Sequence, residues 1–160
     1  IELNDLTQQM QVIQDDLKNL GRYITGSKVD MILCNPPYFK VDKQSNLNES
    51  QHYLLARHEI STNLEEICKI AQRVLKSNGR LAMVHRPERF LDILDTMQAH
   101  NLAPKRIQFV YPKLGKEANM LLIEAIKDGS RDGLKILPPL FIHNQDGSYT
   151  PEIHEIYYGK

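Results

Sequence analysis

Features of secreted and membrane-bound proteins are scarce in this sequence. It contains only two cysteines, Cys34 and Cys68, and their spacing matches no disulfide framework or zinc motif, which favours a reducing compartment. No apolar run approaches the ~20 residues needed to span a bilayer, and the first residues lack the charged and apolar regions of a signal peptide. These absences predict a cytoplasmic protein that does not enter the membrane.

The sequence also lacks an excess of charge of one sign, because lysine plus arginine and aspartate plus glutamate each number 20. Proteins that bind nucleic acid usually carry a basic excess, so any such binding here must use a local patch. The six histidines show no HxxxH or similar ligand spacing, which argues against a metal site. The sequence gives no indication of the oligomeric state.

What is present fits one compact α/β domain. With 160 residues and 41% hydrophobic content, the chain can bury a single core, so we expect one domain over residues 1–160. Apolar runs of strand length alternate with helical patterns, which is typical of a mostly parallel sheet covered by helices.

The individual runs predict the following elements. Residues 10–14 and 29–34 are predicted strands, the second of them buried. A helical pattern begins at Leu64 and is predicted to stop at Asn78 and Gly79. A strand at 80–85 follows, and Pro87 then begins a helix. The buried face of that helix is predicted to contain Phe90, Leu91, Leu94 and Met97.

The last third of the chain predicts a hairpin. Strands at 106–111 and 120–126 follow one another without a helix between them, and so short a link favours antiparallel pairing. Two further segments, 137–143 and 149–158, are linked by NQDGS, a hairpin-type turn.

The segment with the clearest chemistry is Asn35-Pro36-Pro37-Tyr38. It follows a predicted strand, and open α/β sheets bind their ligands at the carboxyl ends of strands. Two prolines fix the backbone and remove two donors, which leaves carbonyl groups as acceptors. A planar amine could donate one hydrogen bond to Asn35 Oδ1 and one to the Pro36 carbonyl, which frees its lone pair for attack. Tyr38 would then stack on the nucleobase that carries the amine. The alternative is an ordinary turn, since Asn and Pro are common turn residues.

Other candidate residues are less specific. Asp16 follows the first predicted strand, where an acid can bind a ligand or cap a helix. Lys40, Arg57 and His58 in the irregular segment 39–61, and Lys113 and Lys116 near the last hairpin, are candidate phosphate contacts, although a solvated surface has the same composition. Cys34 is expected to be a packed core thiol rather than a nucleophile.

Two longer stretches carry a resemblance to a known family. VDMILCNPPYF resembles the (D/N/S)PPY motif of class I methyltransferases that act on planar amino or amide nitrogens. ARHEISTNLEEICKIAQRVLKSNGRLAMVHRPERF and PPLFIHNQDGSYTPEI are similar to the bacterial tRNA(Val) (adenine-N6)-methyltransferase family, which modifies the adenine next to the anticodon. The resemblance spans nearly the whole chain from Met10.

This resemblance implies an S-adenosyl-L-methionine-dependent enzyme that methylates an adenine N6 amine in tRNA. By it, Asn35, Pro36 and Pro37 form the catalytic corner that holds the amine, and Tyr38 stacks on the base. Asp16 and Asn35 border the cofactor, Asp16 at its adenine moiety.

The resemblance also implies a Rossmann-like sheet of order 3-2-1-4-5-7-6 whose first strand precedes a glycine-rich cofactor loop. The chain has no such loop, and none of its eight glycines lies in a G-x-G fingerprint. We therefore expect it to be the C-terminal catalytic portion without the N-terminal βαβ unit. Such a portion should bind cofactor poorly and be inactive alone.

Two alternative functions remain open from the sequence. A protein (glutamine-N5) methyltransferase acting on release factors would present the same pair of N–H bonds to the same acceptors. A non-catalytic RNA-binding domain that has lost its cofactor loop would also fit.

Overall fold

The computed structural model describes residues 1–36 and 64–159, in which one mixed sheet has helices on both faces. Its strands are β1 (Val29–Cys34), β2 (Leu75–His85), β3 (Leu102–Lys113), β4 (Met120–Lys127), β5 (Lys135–Ile136) and β6 (Leu140–His143). Its α-helices are α1 (Leu64–Val74), α2 (Phe90–Ala99) and α3 (Pro151–Tyr158). Short 3₁₀ helices lie at Glu2–Asn4, Leu17–Arg22 and Pro87–Arg89.

The strand order is β1-β2-β4-β3, with β5 and β6 one after the other along the outer edge of β3. β1 and β2 are parallel, whereas β4 is antiparallel to both β2 and β3. β1, β2, β3 and β6 therefore all point the same way, and their carboxyl ends meet at one edge, which we call the carboxyl edge. The opposite edge carries the exposed loop 128–134 between β4 and β5.

This order reproduces the 4-5-7-6 half of the sheet that the resemblance implies, so the predicted fold class is confirmed. The predicted antiparallel hairpin is also confirmed as β3 and β4, which pair from Leu102 with Lys127 to Val110 with Met120. β3 begins before the predicted residue 106. It can include Pro104, which has no backbone N–H, because the register of the ladder shifts there and the missing donor is tolerated.

The main core lies between one face of the sheet and helices α1 and α2. The helices contribute Cys68, Ala71, Ile93 and Met97, each at most 1% exposed. The strands contribute the alternate residues that face them: Leu81, Met83, Ile107, Leu121, Ile123 and Ala125. We call this side of the sheet the helix-covered face.

The other side of the sheet, the second face, is covered only in part by the described residues. Ile153 of α3 packs there against Val110 and Leu140, close to the carboxyl edge. On β1, however, Leu33 is 78% exposed and Met31 is 48% exposed. The prediction of a strand at 29–34 is confirmed, but the prediction that it is buried on both faces is wrong, because no described helix covers this side of β1.

Helix α1 ends earlier than the sequence indicated. It ends at Val74, whose carbonyl accepts from Lys28 N–H at 2.9 Å, and Leu75 already pairs with Val29. The next β1 pair joins Met31 to Arg80, so residues 76–79 form a bulge, with Asn78 at φ 64°. The predicted stop at Asn78 and Gly79 therefore belongs to this bulge and not to the helix.

Residues 10–14 form no strand, so this prediction is wrong. A strand needs a neighbour to pair its backbone groups, and no strand in the described part of the chain lies beside them. Met10 and Val12 are exposed instead, at 52% and 77%.

Two smaller predictions also need correction. Pro87 does begin the helical segment, and Phe90, Leu94 and Met97 face the core, but Leu91 is exposed and Ile93 takes its place. In the tail, residues 144–148 form the predicted turn, closed by a hydrogen bond from Asn144 N–H to Ser148 O at 2.8 Å. After one bridge from Tyr149 to His143, the chain enters α3.

The longest described helix, α1, has 11 residues, and no helix among residues 1–36 and 64–159 could cross a bilayer.

Candidate functional site

Asn35 and Pro36 lie where the sequence predicted, directly after β1 at the carboxyl edge. Asn35 is exposed and Pro36 is buried. Pro37 and Tyr38, the remaining residues of the predicted corner, lie outside the described residues, as do Lys40, Arg57 and His58.

Asn35 borders a cavity of about 470 Å³ on the second face. Leu33 and Cys34 continue its wall along β1, and the neighbouring strands add Val84, Leu122 and Glu124. The floor is mainly apolar, and its acid is paired, because Arg80 donates to Glu124 Oε1 at 2.8 Å. The apolar floor is the part of the second face that no described helix covers, and Asn35 lies at its rim.

Asp16 does not follow a strand but caps the 3₁₀ helix Leu17–Arg22, where its Oδ1 accepts from Lys18 N–H at 2.9 Å. This is the alternative role that the sequence left open for it. Its neighbour Asp15 accepts from Asn19 and from the Tyr23 hydroxyl, both at 2.8 Å. These bonds favour the carboxylate and hold the pKa of Asp15 below its usual value.

Lys113 and Lys116 lie at the carboxyl edge, three strands away from β1. They border an open cavity of about 800 Å³ together with Pro112, Glu117, His143 and Gly147. Within the described part of the chain, neither lysine forms an ion pair. Two cations therefore stand on the same edge as Asn35, although the structure does not bring them into the Asn35 cavity.

Arg86 directly follows β2 at the carboxyl edge and was not among the residues predicted from the sequence. Its guanidinium donates to the Asn119 carbonyl at 3.1 Å, and its N–H donates to His85 Nδ1 at 2.8 Å. Burial lowers the pKa of His85, with help from the Arg89 charge. Arg86 had a detectable signal: it is a polar residue immediately after an apolar strand, like Asn35 after β1.

The thiols and metal-ligating groups offer no further reactive centre. Burial raises the pKa of Cys68 to about 12 and also raises that of Cys34, whose side chain packs against the core as expected. Both thiols therefore stay protonated near neutral pH. The described ranges contain no group of three or more His, Cys, Asp or Glu side chains that could hold a metal ion.

No protein-family model matches the chain, but curated proteins are similar to it in sequence. A protein of Porphyromonas gingivalis strain W83 named tRNA1(Val) (adenine(37)-N6)-methyltransferase is 30% identical over 135 residues, which are 84% of this chain and 52% of the relative. A protein of the same name from Aliivibrio salmonicida is 27% identical over 74% of this chain and 48% of the relative. The chain thus spans about half the length of these relatives.

Solved structures share the fold. A predicted O-methyltransferase of Agrobacterium tumefaciens superimposes with a TM-score of 0.74 at 20% identity, over 99% of this chain and 67% of the other. A putative DNA modification methylase of Thermus thermophilus, complexed with S-adenosyl-L-methionine, gives a TM-score of 0.51 at 14% identity, over 75% of this chain and 56% of the other. The fold is therefore that of methyltransferases. The curated relatives confirm the resemblance of the chain to the tRNA(Val) (adenine-N6)-methyltransferase family.

Proposed function

We propose that this chain is the catalytic portion of an S-adenosyl-L-methionine-dependent methyltransferase that methylates the exocyclic N6 amine of adenine next to the anticodon of tRNA(Val), in the cytoplasm. One observation carries the proposal: the exposed residue Asn35, followed by the buried Pro36, lies directly after β1 at the carboxyl edge. The names of the curated relatives give the substrate and the reaction.

The residues around Asn35 suit an amine substrate. An adenine amine is a weak nucleophile because its lone pair is delocalised into the ring. In the proposed reaction, Asn35 Oδ1 and the Pro36 carbonyl accept hydrogen bonds from the two N–H groups of the amine. This favours a more tetrahedral nitrogen whose lone pair points away from the two acceptors. Pro37 stiffens the corner, and Tyr38 holds the base by stacking once it leaves the RNA stack.

The described residues fit the cofactor in part. S-adenosyl-L-methionine supplies a methyl group on a positively charged sulfur, and the oxygen acceptors of Asn35 and Asp16 have the chemistry to contact its polar groups. Asp16 can serve both as helix cap and as a contact, since a carboxylate has two oxygens. Among the described residues, however, no glycine-rich turn joins a strand to a helix, and a complete cradle therefore needs residues beyond these.

We therefore propose that residues 1–160 are the C-terminal part of one methyltransferase domain, and that upstream residues complete its cofactor site. The exposed apolar side chains of β1, and the half-length match to the relatives, support this. We further propose that Lys40, Arg57, His58, Lys113 and Lys116 contact the tRNA.

A methyl-transfer assay tests the proposed function. The full-length protein is incubated with radiolabelled S-adenosyl-L-methionine and either unmodified tRNA(Val) or a release factor. Label should enter the tRNA and be recovered as N6-methyladenosine after nuclease digestion. A transcript with guanine in place of the target adenine is the matched control and should stay unlabelled.

Two results would overturn the proposal. Label in the release factor and not in the tRNA would assign the glutamine-N5 reaction. A full-length protein that binds tRNA but shows no binding in a titration with S-adenosyl-L-methionine would be a non-catalytic RNA-binding protein.

A further inference from the structure

Five aromatic rings form a connected row at the carboxyl edge, on the second face of the sheet. We call this row, His143, Tyr149, Tyr157, Tyr158 and His154, the tail aromatic cluster. The His143 and Tyr149 rings stack at 5.2 Å with 22° between their planes, and Tyr157 lies 5.6 Å beyond Tyr149. Tyr158 continues the row at 6.3 Å, and His154 lies 4.9 Å from Tyr158.

The row is exposed, although its scaffold is firmly held. Thr150 caps α3, accepting from Ile153 N–H and donating to the Phe141 carbonyl at 2.8 Å. Ile153 anchors the helix by packing against Val110 and Leu140 on the second face. Tyr157 and Tyr158 nevertheless remain 62% and 68% exposed. Both side chains therefore remain accessible to solvent on a helix that is capped and anchored at its start.

His143 joins the tail aromatic cluster to a cavity that contains two lysines. One side of this histidine meets Tyr149, and its ring also borders the 800 Å³ cavity that contains Lys113 and Lys116. Its Nδ1 lies 3.3 Å from the Pro112 carbonyl, which fixes the ring.

Acidic groups lie nearby, so the surface is not uniformly basic. Glu117 borders the same cavity, and α3 carries Glu152 and Glu155. Asp146 accepts from the backbone and the hydroxyl of Ser148, which lowers its pKa. These acids outnumber Lys113 and Lys116, so ring stacking must supply most of the affinity of this surface.

The position along the edge says what this surface can bind. Cys34 at the end of β1 is level in the ladder with Ile107, and β3 continues from there to Lys113, beside His143 of β6. With strands about 4.8 Å apart and about 3.4 Å per residue along a strand, the end of β3 lies roughly 25 Å from that of β1, and the end of β6 lies roughly 28 Å away. One base cannot reach both Asn35 and the tail aromatic cluster. A second nucleotide of the same RNA strand can reach the tail aromatic cluster while the target adenine lies at Asn35.

We propose that the tail aromatic cluster stacks unpaired bases that flank the target adenine, while Lys113 and Lys116 contact the adjoining phosphates. Exposed aromatic faces beside cations are the usual means of binding single-stranded nucleic acid. This inference rests on the proposed function, since it takes RNA as the substrate.

The test compares two neighbouring variants of α3 in the full-length protein. Tyr157 and Ile156 are both 62% exposed, but only Tyr157 belongs to the row. Binding of a fluorescent anticodon stem-loop RNA is measured by anisotropy. Tyr157→Ser should weaken binding by about five- to 150-fold. Ile156→Ser should bind like the unchanged protein, and Tyr157→Phe should restore most of the affinity.

A second pair of measurements leaves α3 untouched. Lys113→Gln combined with Lys116→Gln should lower the salt slope of log affinity by about 1.4, the contribution of two phosphate contacts on a single strand. In methyl transfer, Tyr157→Ser should raise the KM for tRNA and leave kcat nearly unchanged, because the ring does not touch the reacting amine.

The outcomes separate this inference from the proposed function. If Tyr157→Ser binds RNA as tightly as Ile156→Ser, the inference is overturned, even where methyl transfer is normal. If Tyr157→Ser weakens RNA binding but the unchanged protein transfers no methyl group, the inference stands and the proposed function fails.

Discussion

The helix-covered face and the second face of the sheet are built from the same strands, yet they differ in completeness. Along β4, Leu121, Ile123 and Ala125 are almost fully buried, whereas Leu122 and Glu124 between them are only half-buried. The covered face therefore supplies the stability of the described residues. The second face, which is less buried, carries the tail aromatic cluster, so substitutions on the two faces should have different effects.

The largest expected effect comes from truncating leucines of opposite faces in two neighbouring strands. Leu81→Ala opens a cavity in the main core and should lower the free energy of unfolding by about 2–5 kcal/mol. Leu33→Ala removes a 78% exposed side chain and should cost less than about 1 kcal/mol. Urea unfolding of the 160-residue chain measures both, and equal losses would mean that the two faces contribute equally to stability.

The same two leucine variants also test the proposal that upstream residues complete the domain. In the full-length protein, the cost of Leu33→Ala should rise towards that of Leu81→Ala, because Leu33 becomes covered. An unchanged cost would mean that the second face of β1 stays open.

At the end of β1, a substitution should alter chemistry and leave stability intact. Under the proposed function, Asn35→Ala in the full-length protein should lower turnover by about a hundredfold or more, the usual loss when a group that acts in the transition state is removed. Binding of S-adenosyl-L-methionine, measured by titration calorimetry, should hardly change. Weakened cofactor binding with normal turnover would contradict the role of Asn35 as acceptor for the amine.

A smaller effect is expected at Thr150, which holds the helix of the second face. Thr150→Ala removes the cap of α3 and a bond to Phe141, and should cost about 0.5–2 kcal/mol. Thr150→Ser keeps the hydroxyl and serves as the control. Tyrosine fluorescence during urea unfolding follows the change; equal losses in the two variants would exclude the hydrogen bonds as its cause.

The smallest expected effect is a pH dependence on the helix-covered side. Burial lowers the pKa of His85 below 6.5, its ordinary value, so the unfolded chain takes up a proton that the folded chain resists. The contribution of His85 is therefore fully present above pH 6.5 and is lost as the pH falls below it. His85→Gln should reduce this loss in urea titrations at several pH values, and an unchanged loss would exclude His85 as its cause.

Local patterns predicted the elements that are stabilised within the described residues. The apolar run 29–34 became β1, and Pro87 started the predicted helical segment, because both signals are contiguous in sequence. Residues 10–14 have an equally apolar pattern but no partner strand among the described residues, and strand formation depends on such a partner. The end of α1 also escaped prediction, since it is set by Lys28 and Val29, which are distant in sequence.

The candidate site divides in the same way. Asn35 and Pro36 could be predicted because the corner is one contiguous motif after a strand. The tail aromatic cluster could not, because its rings come from β6, from the end of the turn and from α3, and only the fold brings His143, Tyr149 and Tyr157 together. The predicted roles of Asp16 and of the lysines remain predictions.

The shared direction of β1, β2, β3 and β6 also has a practical use. Because the proposed reaction and RNA contacts all lie at the carboxyl edge, the loop 128–134 at the far edge can carry a reporter without disturbing them. Its Arg131 is exposed, and the native thiols of Cys34 and Cys68 are held protonated by burial, which raises the pKa of both. A cysteine introduced in place of Arg131 would therefore react selectively with a maleimide dye. The dye would give an optical signal for RNA docking although it lies far from the proposed RNA contacts.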